Sequence, residues 1–151
     1  MTKTMTEGPA APAPVKRPPQ VVIMKWKGEQ EFEASKPGGP AILIDSHGKK
    51  GPGPMETLLG ALAACSATDV VEILAKRRTP AESLEVEAVG QRVETTPRRF
   101  ERVVLKFTIK GKGIERVHAE RAIELAVHKY CSVEASLDPT ISVEWELSLA
   151  E

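Results

Sequence analysis

Hydrophobic and polar positions alternate early in the chain. Val21, Ile23 and Lys25 fall on one side of an extended backbone and Val22, Met24 and Trp26 on the other. Gly28 breaks the run, so the segment to Ala34 is expected to form a hairpin. Pro37-Gly38-Gly39-Pro40 then turns the chain into Ala41–Asp45, a short apolar run between breakers that suits a third strand. Period-two alternation returns at Leu84–Glu94, where Leu84, Val86 and Ala88 oppose Glu85 and Glu87. It returns again at Phe100–Lys110, where Val103, Leu105, Phe107 and Ile109 oppose Arg102, Lys106, Thr108 and Lys110, and these two strands are expected to pair antiparallel. The clearest alternation is Thr140–Leu149, with Ile141, Val143, Trp145, Leu147 and Leu149 set against Ser142, Glu144, Glu146 and Ser148.

Two stretches carry helical spacing instead. The first begins at Pro54, which needs no amide donor in a first turn, and Glu56 suits the positive end of the dipole. It is expected to run to Arg78, where Lys76-Arg77-Arg78 complements the orphan carbonyls before Pro80 stops it. Gly60-Ala61-Leu62-Ala63-Ala64 has so little bulk that another helix can approach this one closely. The second stretch, Ile114–Lys129, lines up Val117, Arg121, Leu125 and His128 on one edge and widens it with Ala122, Ile123, Ala126 and Val127. A short turn or helix at Ser132–Leu137 leads into the last strand. Few helices and many strands give an α+β fold, and 151 residues suit one domain spanning 21–151. Residues 1–20, with Pro9, Pro12, Pro14, Pro18 and Pro19, read as a disordered Pro/Ala-rich tail.

Charge narrows the function. Lys and Arg total 21 and Asp and Glu 21, so the chain lacks the basic footprint that backbone-driven nucleic-acid binding needs. No apolar run is expected to reach the roughly 18 residues of a membrane span, and residues 1–20 hold no hydrophobic block of a signal peptide. The reading is a soluble, cytoplasmic protein with neither nucleic acid nor membrane as partner.

Only Cys65 and Cys131 are present, too few for a disulfide-stapled scaffold. A cysteine within a helix is more often a small buried hydrophobe than a nucleophile. A second cysteine at the end of another helix leaves room for shared chemistry: a thiolate oxidised to sulfenic acid, then captured as a disulfide by the other thiol. Ideal helical geometry groups Leu58, Leu62, Asp69 and Glu72 on the Cys65 side of the axis, where the acids disfavour a thiolate. The histidines, His47, His118 and His128, form no cluster and there is no Cys-x-x-Cys, so zinc has little support and no cofactor is expected. The loop around Gly48–Gly53 lacks the order of a phosphate-binding loop.

The stretch from Gly53 through Cys65 to Val71 resembles the central helix of the OsmC/Ohr superfamily, osmotically inducible and organic-hydroperoxide-resistance proteins. Lys129-Tyr130-Cys131-Ser132-Val133 resembles its second cysteine motif, and the resemblance extends over the whole chain beyond the tail. Asp69-Val70-Val71 and the Tyr130–Val133 stretch look closest to the YhfA-like branch. The resemblance implies an OsmC-like fold of antiparallel strands and two long central helices, in an intertwined homodimer with its sites at the subunit interface. It also implies reduction of organic hydroperoxides, with Cys65 as the peroxidatic and Cys131 as the resolving sulfur and an external dithiol as reductant. The family's catalytic glutamate, ten residues before the first cysteine, corresponds to Met55 here, with Glu56 next to it as the candidate. Glu56 falls nearly opposite Cys65 and about 13 Å along an ideal helix, so a capping role stands beside the catalytic one. No arginine lies between Arg17 and Arg77 to match the family's, which leaves His47, Lys49 or Lys50 as substitutes. The alternative reading is a non-catalytic protein of this fold that binds a small apolar or thiol-reactive ligand in the interface pocket.

Overall fold

A computed structural model describes residues 10–150. Of the expected tail, residues 1–9 lie outside the described residues, and residues 10–22 carry neither helix nor strand and are exposed. Strands β1 (Ile23–Gly28), β2 (Glu31–Ser35) and β3 (Ala41–Asp45) form an antiparallel three-stranded sheet in chain order. Trp26 pairs with Phe32 and Phe32 with Ile44. The register slips between Trp26 and Gly28, and Gly28 takes φ 115°, a left-handed conformation that a side chain would strain.

After β3 the chain folds back over Asp45, a residue only 2% exposed. Its carboxylate accepts the amides of His47, Lys49 and Lys50 at 2.9–3.0 Å. These amide bonds, the one from Lys50 foremost, hold the carboxyl below its ordinary range. The loop so fixed feeds α1 (Pro54–Lys76), which starts at Pro54 as expected and ends two residues before the expected Arg78, with Arg77 as its cap and Arg78 at φ 63°.

The second sheet holds β4 (Ser83–Arg92), β5 (Phe100–Lys110) and β6 (Ser142–Ala150) in that order. Its inner face carries Val103, Leu105, Phe107 and Ile109, all 0–1% exposed, against Leu62, Val70 and Leu74 of α1. Its outer face pairs opposite charges across strands: Lys106 stands between Glu87 and Glu146, and Arg102 is bonded to Glu144. From β5 the chain enters α2 (Arg116–Leu125), widens into a π turn at Ala126–Tyr130, and makes one short turn, α3 (Ser132–Ala135), before β6.

Two expectations are corrected. The strands are not all antiparallel, because β6 runs parallel to β5. The helical crossover between them returns the chain to the starting end of the sheet, and that connection pairs strands in the same direction. The second helix keeps nearly its expected span, 116–130, and what changes is its last stretch, which is π rather than α from Ala126 on. A third point concerns α1, which contains an 18-residue window of mean hydropathy 1.7 and is long and apolar enough to cross a membrane by length and composition alone. Its leucines, valines and isoleucine supply most of that hydropathy, and Leu62, Val70 and Leu74 among them are buried in the core.

Candidate thiol site

The site is built where α1 meets the end of the π turn. On α1, Leu62, Ser66, Val70 and Leu74 recur every four residues and form the buried stripe. Cys65 sits at its margin, half-buried. Cys131 arrives from the other side. A π turn holds one residue more than an α turn, and after it the backbone at Cys131 becomes extended, φ −68° and ψ 107°. Tyr130 is left 51% exposed while Cys131 is only 3% exposed.

Cys131 caps α3, its Sγ accepting the Glu134 amide at 3.3 Å. Cys65 and Ser66 of α1 are the side chains that neighbour that sulfur and act on its ionisation. The Ser66 hydroxyl is fully buried and donates to the Leu62 carbonyl at 3.0 Å. Burial is the main influence on Cys131 and pushes its thiol up. The Glu134 amide and Ser66 work in the lowering direction, while the neighbouring Cys65 raises it further, and no basic side chain contributes. Both cysteines are free thiols. The sequence left open whether these two residues meet; the fold makes them neighbours.

Glu56 lies elsewhere. It is the third residue of α1, and its carboxylate accepts the Gly53 amide at 2.8 Å, closing the start of the helix. With His47, Arg92, Met55 and Phe100 it lines a cavity of about 400 Å³ at that end of α1, and Cys65 is not part of its wall. Of the cations suggested by sequence, Lys50 is engaged by Glu31 at 2.7 Å and His47 faces this same cavity. His128 stands 4.0 Å from Glu124, which also accepts the Trp145 indole N–H at 2.8 Å. Among the described residues no group of His, Cys, Asp and Glu is arranged to hold a metal.

A groove of about 400 Å³ opens one helical turn beyond Cys65, between Asp69, Glu72, Ile73 and Lys76 of α1 and Leu125 and Tyr130 across from them. The Lys129 ammonium lies over the Tyr130 ring, 5.4 Å from its centre.

Residues 46–146 match the family model described as OsmC-like protein. The chain belongs to the OsmC-like family. Within it the YhfA-like branch is the place indicated: the chain is 36% identical over 121 residues to Protein YhfA of Escherichia coli strain K12, covering 80% of this chain and 90% of that protein. A hypothetical protein from Aquifex aeolicus is 31% identical with a TM-score of 0.77, over 89% of this chain and all of that one. The organic hydroperoxide resistance protein OhrB of Bacillus subtilis shares the fold at a TM-score of 0.59 and 15% identity, over 85% of this chain and 98% of that one.

Sequence reasoning missed three features around the candidate thiol site. Ser66 carries a signal in hindsight, as the one polar residue in an apolar stripe of period four. The cap at Cys131 has one too: Cys131-Ser132-Val133-Glu134 is a capping pattern with sulfur in place of the usual hydroxyl. The groove has none, because Tyr130 and Leu125 reach Asp69 and Glu72 only through packing.

Proposed function

We propose that this OsmC-like protein is a cytoplasmic homodimeric redox protein that reduces organic hydroperoxides through a thiol–disulfide cycle between Cys65 and Cys131. One observation carries the reading: the two cysteines of the sequence, remote along the chain, have neighbouring thiols. Family membership and the fold shared with a hydroperoxide resistance protein support a peroxide-related role. Two thiols that must begin reduced suit a reducing compartment.

Burial supports one order of events. Cys65 is the more accessible thiol and Cys131 is enclosed with its ionisation disfavoured, so Cys65 meets the peroxide. Its thiolate attacks the outer peroxide oxygen, the O–O bond breaks, and the alcohol leaves after taking a proton. Cys65 is now a sulfenic acid. The Cys131 sulfur then attacks the Cys65 sulfur, its proton and the sulfenic hydroxyl depart together as water, and a disulfide remains. An external dithiol returns both thiols, itself oxidised to a disulfide. Glu56 caps α1 within its own chain, and any contact with a Cys65 thiol belongs to a second copy across a two-fold axis.

The test adds cumene hydroperoxide to reduced protein and counts both free thiols and remaining peroxide. Loss of two thiols for one peroxide supports the cycle; unchanged levels of both remove it. The alternative reading is a non-catalytic protein of this fold that binds a small apolar or thiol-reactive ligand. Native mass spectrometry of protein purified from its host separates the two, because a retained small ligand without peroxide turnover selects the binding protein.

A further inference from the structure

Ser66 is the one polar member of the buried stripe of α1, set between Leu62 and Val70 and fully enclosed. Alanine would fill that place in an apolar core without burying a hydroxyl, so the hydroxyl calls for a partner that uses it. Its single proton goes to the Leu62 carbonyl at 3.0 Å, a carbonyl that the helix already engages through the amide four residues on. Facing it is the Cys131 sulfur, a member of the same core cluster, which has Ser66 as a neighbour from α1 and accepts the Glu134 amide at 3.3 Å from α3. Few other groups bear on that sulfur. From α1 the titratable side chain acting on it is Cys65, and the sheet side is apolar, with Phe100, Val103 and Val143 in the cluster. In the π turn Lys129 lies over the ring of an outward Tyr130. A negative charge on Cys131 therefore meets two neutral donors and, among the described residues, no basic side chain.

We propose that Ser66 and the Glu134 amide form a two-donor cradle for the Cys131 thiolate, the Ser66 hydroxyl turning from the Leu62 carbonyl to the sulfur as the thiol loses its proton. The inference rests on Cys131 as the resolving thiol and supplies that step with its activation. Toward a neutral thiol the hydroxyl bonds back along the helix; toward a thiolate the same O–H makes a charge-assisted bond, roughly twice as strong as a neutral one. The Leu62 carbonyl keeps its amide, so the turn orphans no acceptor. In the resolving step the thiolate attacks the Cys65 sulfenic sulfur, an S–S bond forms and the S–O bond breaks. The departing hydroxide takes up the proton that Cys131 released and leaves as water. On the way back a dithiol attacks the more accessible Cys65 sulfur, and Cys131 departs as a thiolate into the same cradle. The second thiol of the reductant then frees Cys65 and closes the reductant's own disulfide. Neutral donors suit an enclosed sulfur, because they hold its charge without burying a second ion.

The first measurement needs no peroxide. In the full-length Cys65→Ser protein, the Cys131 Cβ resonance is followed against pH by carbon NMR, with and without Ser66→Ala. Alanine fits the space and favours helix, so the variant keeps the fold. The expected result is a Cys131 midpoint about one pH unit higher in the Ser66→Ala protein, a roughly tenfold smaller thiolate fraction below both midpoints. Coincident midpoints overturn the cradle. The second measurement adds cumene hydroperoxide to protein with both cysteines, traps sulfenic acid at Cys65 with dimedone and follows the disulfide. Ser66→Ala should leave sulfenic acid formation as it is and slow disulfide formation about threefold near neutral pH, since the greater nucleophilicity of a more basic thiolate offsets part of the tenfold loss. Above both midpoints only the offset remains, and the variant becomes the faster. A Ser66 that merely packs the core would misplace the sulfur and slow the step at every pH, a result that also overturns the proposal. The hydroperoxide reading is scored separately: a shifted midpoint without peroxide turnover keeps the cradle and sinks the peroxidase, while turnover with coincident midpoints does the reverse.

Discussion

At the scale of single residues, the site sets two sulfurs in unlike surroundings. Burial raises Cys131, so its neutral thiol is the form the fold favours. The sign follows: the stabilisation is fully present below the ordinary cysteine value of about 8.5 and is lost as pH rises through the raised folded value. Thermal melts of the reduced protein should therefore show an alkaline loss of stability that is smaller in Cys131→Ala. Alkylation at pH 8 should label Cys65 at least about tenfold faster than Cys131, read by peptide mapping. Glu56 is separable from this pair. Glu56→Ala removes the acceptor of the Gly53 amide and should cost roughly 0.5–1.5 kcal/mol in chemical denaturation. Glu56→Gln keeps an acceptor and should melt like the wild type, and a loss of peroxide turnover in that variant alone would show that the carboxylate has a second role.

At the scale of elements, β4 and α1 are pressed together at Gly90. A Cβ there would collide with the ring of Phe100 and meet Leu59 Cδ2 at 3.0 Å. Gly90→Val should destabilise the fold by about 1–3 kcal/mol, measured by urea unfolding, as overpacking does. The elements themselves were largely legible. β3 and β5 have the bounds their alternation indicates, and α1 starts at Pro54 because proline, the Glu56 cap and the dipole all favour that position. What alternation does not encode is direction: the same Ile141–Leu149 pattern serves a parallel or an antiparallel neighbour, and only the helical crossover decides it for β6. The π turn was equally hidden, since helical spacing through Lys129 gives no sign of one extra residue in a turn. That extra residue matters at the site, because it separates an outward Tyr130 from an inward Cys131. Of the candidate residues, the cysteines were visible as residue types, but their proximity depends on α1 packing beside the π turn.

At the scale of the whole molecule, two surfaces lack a covering. Ile23, Met24, Trp26 and Ile42 of the first sheet are 39–68% exposed. Gly60, Ala61, Ala64, Thr68 and Val71 leave an exposed, low-bulk face along α1. A second copy lying against both accounts for them, as the proposed homodimer requires, and small residues let helix backbones approach closely. Sedimentation equilibrium should give twice the chain mass, and Ala64→Arg, placing a charge on that exposed face, should give monomers with unchanged secondary structure. The central claim concerns the sulfurs themselves, and the most direct measurement is one equivalent of cumene hydroperoxide added to reduced protein, followed by intact mass and a peptide map. The account predicts consumption of the peroxide, a loss of about 2 Da as two thiols become one disulfide, and a linked peptide joining Cys65 to Cys131. Peroxide and both thiols left intact would contradict it.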